Sequence, residues 1–501
     1  MQILRELIKI ITKVKLRSIR KLAFPLTDEG HLATMYNLLA DGVEDENSLA
    51  LELTGRTERS GGYRRLKADL IDRLIATLFL VDLSQPSYNN RQRAYYELHK
   101  KWAAAKILLG KGARAAGLEL SEQVFRQSMR YEFNSIALDV ARHLRIFSAT
   151  VVGDGKKYEY YATVCVDLEK TVQLEQLAEA EYARLIIDYY RKKVDQAARM
   201  TAAEQAYAKL VEYLTDCDSH DFHLHAGLIR LGVTTTKGNH ANTIEVCDEL
   251  INFFEQKTFT ASVPLQILYL QKLYSHFQLR QFDAVNPFIE KGLALLQPGS
   301  YNWYNFLKTY LLLALHTEQY DTAFETFVIA TEHSRFKQLT PEMKEYWRVL
   351  EAYLHYLVEQ ELLSSAIVKG RFTKFRLGRF LNETPEFYKD KRGMNVSILI
   401  IQILFLIMRG RYNDTVDKID AVEQYSRRHL YREDTLRSFY FIKALLELPK
   451  NYFHKVAVQR KAGKYLEKMA QHPLETAEQV NYFTEILPFE KIWVLLVGQL
   501  S

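Results

Sequence analysis

The residues 320–330, YDTAFETFVIA, have counterparts elsewhere in the chain. FDAVNPFIEKG begins at Phe282, 38 residues earlier, HANTIEVCDEL at His240, and YNDTVDKIDAV at Tyr412. A unit recurring roughly every forty residues constrains the fold more than any other feature here. Each copy is too small to bury an apolar face alone, so successive copies must stack on one another.

The best-formed copy shows what the unit is. Leu307, Leu311 and Ala314 recur at i, i+4, i+7, which places them on one face of a helix. The polar stretch HTEQ (316–319) interrupts that helix. Ala323, Phe327 and Ala330 then repeat the same spacing on a second helix. Asp321 stands where an N-cap or first-turn acid would accept free backbone N–H groups and face the positive helix end. Tyr320 can fold back across the turn as a hydrophobic staple. Ala323 is small where the two helices approach most closely. The motif thus closes one helical hairpin and starts its second helix.

This pattern resembles the second-helix signature of the tetratricopeptide repeat, which Tyr320, Asp321, Ala323, Phe327 and Ala330 match. The other copies are poorer. Phe282 and Asp283 fit, but Val285, Ile289 and Gly292 follow. Tyr412 leads to Thr415, Ile419 and Val422, and His240 to Thr243, Cys247 and Leu250. The first-helix Trp and Gly of the family are missing, and the spacing exceeds the family's ~34 residues. The resemblance covers roughly residues 220–440. It implies an all-α fold, an α-solenoid of helical hairpins, and a groove that holds a protein or peptide partner. The expected work is that of a non-enzymatic scaffold or adaptor.

The rest of the chain continues in helical patterns. Residues 121–152 and 171–194 both read as strong helices, and VGDGKKYE (152–159) reads as the turn between them, bent by Gly153 and Gly155. Only 10 prolines and 21 glycines in 501 residues disfavour an all-β chain, which needs frequent turns. The organisation expected is an N-terminal basic helical subdomain (1–115), helical hairpins (116–215) and the repeat array (216–501). Three cysteines, Cys165, Cys217 and Cys247, form no disulfide framework or zinc-knuckle spacing, which fits a reducing compartment. The most apolar stretch, NVSILIIQILFLIM (395–408), contains Gln402 and is shorter than the ~20 residues of a membrane span, so it reads as a buried helix. The opening MQILRELIKIITKVKLRS lacks the apolar run of a secretory signal. A soluble, cytoplasmic chain without a transmembrane segment is expected.

The net charge of +6 belongs to the N-terminal region. There, residues 35–82 outline two short helices followed by a longer one. Asp45 or Asn47 can cap the middle helix, and Ser60 with Gly61 and Gly62 precedes the last. Leu66, Leu70, Leu74 and Leu78 form its core stripe. The outline matches a helix-turn-helix reader, in which Arg56, Arg59, Arg64, Arg65 and Lys67 would contact phosphates and Tyr63 would sit at the groove edge. This carries the alternative function, a DNA-binding transcriptional regulator with a repeat-array sensor. The competing reading is a helical subdomain whose basic residues are a solvated face, and Asp69 and Asp72 on the same helix favour it. Ahead of it, Arg5, Lys9, Lys13, Arg17 and Lys21 recur every four residues, with Leu4, Leu7, Ile8, Ile11 and Val14 on another face. Such a helix can lie on anionic lipid, grip nucleic acid, or dock in a partner's groove. It can equally cap the array with its apolar face buried.

Chemistry finds little support. CDSHDFHLH (217–225) collects Cys217, Asp218, His220, Asp221, His223 and His225, but matches no standard zinc spacing, and Asp, Ser and His gather naturally at a helix N-terminus. Nucleophile-elbow, phosphate-loop and His-Glu-x-x-His motifs are absent, so no enzyme and no cofactor are expected. One further stretch, KGRFTKFRLGRF (369–380), interleaves Lys369, Arg371, Lys374, Arg376 and Arg379 with Phe372, Phe375 and Phe380, and no acid lies between Glu361 and Glu383. It is a candidate partner-binding surface, suited to an acidic protein or, with its aromatics, to single-stranded nucleic acid.

Overall fold

The structure, a computed structural model, describes residues 1–13, 30–79, 90–191, 196–364, 368, 378, 380, 394–429, 436–472 and 485–500. The described residues form helices joined by turns, with no strand among them. They divide into two compact units, Met1–Val172 and Gln173–Ser501.

In the first unit, α1 (Gln2–Lys13), α2 (His31–Ala40), α3 (Glu46–Thr54) and α4 (Gly61–Leu78) enclose one core. Leu4, Leu7 and Ile8 of α1 are buried there beside Leu49, Leu53, Leu70 and Leu74. Leu4, Leu7 and Ile8 of the apolar face are therefore taken up by the subdomain itself, and Arg5 donates from its guanidinium to the Glu44 carbonyl. Asp45 caps α3 by accepting from Ser48 N at 2.9 Å, and Ser60 caps α4 by accepting from Tyr63 N at 3.4 Å.

A second core joins α5 (Asn90–Gly110), α6 (Arg114–Arg130), α7 (Asn134–Phe147) and the start of α8 (Gly155–Arg191). One sequence expectation is corrected here: the stretch 121–152 is two helices, because a turn at Tyr131–Phe133 divides it and a π-helical turn (Ser148–Val152) follows. Trp102 and Ala105 of α5 share one core with Val124 and Phe125 of α6.

The second unit continues with α9 (Gln196–Ala208), α10 (His220–Thr236), α11 (His240–Glu255), α12 (Ser262–Gln278), α13 (Asn286–Ala294), α14 (Tyr301–His316), α15 (Tyr320–Glu332) and α16 (Pro341–Glu359). After these come α17 (Met394–Met408), α18 (Tyr412–His429), α19 (Leu436–Leu445), α20 (Glu447–Lys450), α21 (Lys455–Ala470) and α22 (Phe489–Gly498). Leu210 packs in one core with Cys217 and Phe222.

Consecutive helices pair, as α10 with α11, α12 with α13, α14 with α15 and α17 with α18. One turn closes these pairs. In each, a residue in the left-handed region follows the helix, and its N–H and the next residue's N–H return to carbonyls of the last turn. After α14, Glu318 (φ 61°) donates to Leu315 O and Gln319 to Ala314 O at 2.8 Å. Gly238, Arg280 and Gly410 repeat this pattern after α10, α12 and α17, as do Glu361 after α16 and Tyr452 after α20. Gly112 and Glu132 do so in the first unit. The turn satisfies the orphan carbonyls of a helix end while reversing the chain in three residues.

The recurring motif sits just past this turn. Tyr320, His240 and Tyr412 are each the first residue of a second helix, while Phe282 is followed by a 3₁₀ turn before α13 begins. Tyr320, Ala323, Phe327 and Ala330 are buried, with both alanines fully so. Asp321 lies in the first turn, whereas Gln319 occupies the cap position and makes no side-chain cap bond. The acid therefore acts through its charge at the helix N-terminus.

α17 is buried nearly all round, from Val396 to Ile407, with Gln402 at 3% exposure. No helix among the described residues is long and apolar enough to cross a membrane.

Residues 485–500 return to much earlier elements. His316 Nε2 lies 2.9 Å from Glu485 O, Lys491 pairs with Glu318 at 2.7 Å, and Gln499 donates to Tyr356 Oη and Gln360 Oε1. In a simple array each repeat touches only its neighbours. Here the C-terminal segment spans α14 to α16.

Candidate partner-binding surfaces

The N-terminal basic residues are divided by the fold. Arg56, Arg59, Arg64 and Arg65 are exposed around the α3–turn–α4 corner. Lys67 is partly buried and committed to Glu46 at 2.6 Å. Burial pulls its pKa down, but its bonds to Glu46 and to the N-terminus, with the charge of Glu46, together outweigh this and leave it raised. Tyr63 is fully buried, so it does not stand at a groove edge as the helix-turn-helix outline expects; its hydroxyl is pushed up to about 12 by desolvation. Two of the six side chains in that outline thus serve the subdomain's own packing. Of the basic series along α1, Arg17 and Lys21 lie outside the described residues.

In the run 369–379, the candidate partner-binding cations Lys369, Arg371, Lys374, Arg376 and Arg379 lie outside the described residues. Phe380, at its end, is 1% exposed and belongs to the core, with Arg348 over its ring at 5.8 Å.

The 217–225 cluster is used for packing. Ser219 caps α10, accepting from Phe222 N. His220 is buried with Nδ1 2.6 Å from Asp221, and its ring meets Phe254 edge-on. His223 stacks on Phe253 at 3.9 Å and bonds the Cys217 carbonyl. Lys257 binds the carbonyl and carboxylate of Asp218. Among the described residues no three His, Cys, Asp or Glu side chains converge in the manner of a metal site. Burial raises the Cys217 and Cys247 thiols, the latter to about 12, which removes thiolate reactivity near neutral pH.

An open cleft lies between the antiparallel helices α5 and α6, with a volume of about 260 Å³. Asn90, Arg93, Glu97 and Lys101 line it from α5, at helical spacing on the edge of the stripe that buries Leu98 and Trp102. Gln123 and Gln127 line it from α6, and Tyr131 closes one end. Arg91 fixes that end. Its guanidinium donates to Tyr131 O at 3.1 Å and Glu132 O at 3.4 Å, and lies over the Phe133 ring at 4.5 Å. At the other side of the helix, Trp102 Nε1 and Lys106 Nζ both donate to Asp139, tying α5 to α7. The cleft is therefore held open between two braced helices. Each carboxamide offers donors and an acceptor, so the lining can satisfy a peptide backbone, and the charged residues can read its side chains.

Sequence reasoning missed this cleft because its residues, taken singly, are ordinary surface polar groups. The available signal was the conjunction of Gln123 and Gln127 at i, i+4 facing a polar series on the preceding helix. Compared with known proteins, the chain matches no family model, no curated protein and no solved structure.

Proposed function

We propose that this chain is a non-enzymatic scaffold or adaptor, an α-solenoid of tetratricopeptide type that binds a protein or peptide segment. The observation that supports it is the repetition of one turn. The same two-bond closure ends α10, α12, α14, α16, α17 and α20, at Gly238, Arg280, Glu318, Glu361, Gly410 and Tyr452, at intervals of about forty residues. Each such closure sets two helices side by side with a furrow between them, and the polar lining of the α5–α6 cleft suits an extended peptide. From fold to work the step is one of analogy.

The test is a pull-down of the tagged chain from native lysate, with and without nuclease, beside a Lys101→Glu/Gln127→Ala variant. A stoichiometric protein that survives nuclease and is lost with the variant supports the proposal. Retention of nucleic acid alone overturns it.

A second reading, a DNA-binding regulator, draws on the exposure of Arg64 and Arg65 at the start of α4. Neutralising both removes duplex DNA binding and leaves protein capture intact if that reading holds.

A further inference from the structure

The helix α21 carries a surface that the proposed scaffold role does not use. Its inner stripe, Val458, Ala462 and Met469, is buried, and α21 packs against α19. The opposite side is basic. Arg460, Lys461, Lys464 and Lys468 are all exposed. At 3.6 residues per turn they fall within an arc of about 100°. The only acid on the helix is Glu467, and none of the four cations has a carboxylate partner among the described residues. Two of them lie against rings, Lys464 over Tyr465 at 4.7 Å and Lys468 over Tyr440 at 5.8 Å. In the turn that opens the helix, Tyr452 is 92% exposed, and Val456 follows at 67%.

We propose that this face docks single-stranded nucleic acid, with the cations on successive phosphates and Tyr452 under a base. Arg460, Lys464 and Lys468 advance about 6 Å per step along the axis, the scale on which phosphates recur along an extended strand. Lysines suit phosphates as point charges. They are depleted in protein interfaces, where Arg is favoured, and three of these four cations are lysines. A lipid surface fits less well, because an interfacial helix needs an outward apolar face, and the apolar stripe of α21 is already buried. Cations that track a backbone together with an exposed ring on which a base can stack are the elements that bind single strands without sequence preference, and Tyr452 in the turn that opens α21 supplies the ring. The proposal stands independently of any protein partner.

The experiment is fluorescence anisotropy of a labelled twenty-nucleotide oligothymidylate with the purified full chain at several salt concentrations. Expected is binding whose logarithm falls with log salt at a slope of about −2 to −3, for three or four phosphates neutralised and their counterions released. The variant Arg460→Glu/Lys464→Glu/Lys468→Glu loses at least tenfold in affinity. Tyr452→Ala loses about fivefold or more, as one stacked base. Melting curves accompany each variant; should charge reversal alter the fold, the same three positions as Gln give the same loss. No binding overturns the proposal, and so does binding indifferent to the α21 variants. Loss only on Arg64→Glu/Arg65→Glu would move the site to α4. A twelve-residue oligoglutamate peptide, or vesicles containing phosphatidylserine, binding α21 more tightly than the oligonucleotide would equally overturn it.

Discussion

Arg437 and Glu485, 48 residues apart, meet side-on through two parallel hydrogen bonds, Nε to Oε2 at 2.8 Å and Nη2 to Oε1 at 2.7 Å, with both side chains almost wholly buried. The same guanidinium reaches Glu490 at 2.7 Å, and Glu485 accepts from the Phe489 N–H at the start of α22. Phe489 in turn stacks on Phe441 of α19 at 4.2 Å. One buried pair therefore fastens the C-terminal helix to α19.

Breaking that pair from one side leaves a buried charge without its partner, which costs about 3–5 kcal/mol. Arg437→Leu is expected to lower the stability of the second unit by this amount in urea titration. Arg437→Leu/Glu485→Leu should recover most of it, because apolar replacement of both partners avoids the stranded charge. A double variant as unstable as the single one would contradict this account.

Stability should fall on the acid side for a specific reason. Burial drives His316 from 6.5 to about 3, despite the bond it donates to the Glu485 carbonyl. Since a carbonyl only accepts, the neutral ring carries its proton on Nε2. Between pH 6.5 and about 3 the unfolded chain binds a proton that the folded chain refuses. Stability therefore drops as pH falls, by up to about 1.4 kcal/mol per pH unit. Burial also lowers His276 and His355, so the native slope sums several groups. His316→Gln keeps a donor for the carbonyl and removes one titrating site. The difference in slope between the two proteins over pH 4–6 should be close to one proton, read from urea midpoints at each pH. Glu490 adds a further loss below its ordinary 4.5. Burial raises its carboxyl, but Arg437 more than offsets this, so protonation there releases the bond only in stronger acid.

Close approach of paired helices predicts which small residues are irreplaceable. Gly292 holds the place in its repeat that Ala330 holds in the next. A Cβ there would stand 2.6 and 3.0 Å from ring atoms of Phe306 and 3.4 Å from Tyr269 Cβ. A buried ring cannot swing aside as an aliphatic tip can, so Gly292→Ala should cost about 1–3 kcal/mol. Gly227→Ala meets only the tip of Leu250, at 2.8 and 3.1 Å, and should cost less. Coupling between Gly292→Ala and Phe306→Leu in a double-mutant cycle checks the contact. Ala323→Leu, at a fully buried position, belongs to the same class of overpacking.

The helices and hairpins were legible because apolar spacing and the motif after each turn are local signals. Ala323, Phe327 and Ala330 declare a face whatever lies across from it. The Asp45 cap, one of two candidates with Asn47, was legible for the same reason. What escaped was non-local. Arg437 and Glu485 lie 48 residues apart with nothing local to mark them as partners, and Tyr63 reads as a ring at a groove edge until the fold buries it. The turn residue was also hidden. Gly238 and Gly410 advertise a left-handed position, but Arg280, Glu318 and Glu361 occupy the same conformation with nothing in their chemistry to announce it.

That equivalence yields a paired prediction. Arg280 and Gly410 occupy corresponding places in their turns, at φ 54° and 64°. A residue with a Cβ is strained in this region by roughly 1–2 kcal/mol, a cost glycine escapes. Arg280→Gly should therefore stabilise the second unit, less whatever the more flexible unfolded chain regains. The exposed side chain of Arg280 makes no close ion pair among the described residues, and the loss of its attraction for the Glu490 carboxylate subtracts from the gain. Gly410→Ala should destabilise it by about 1 kcal/mol. Nothing lies within 4 Å of the added Cβ, so the loss there is conformational and not steric. Thermal melts of the two variants should move in opposite directions. Movement in the same direction would mean that the two turns are not conformationally equivalent, and the repeat would lose its common closure.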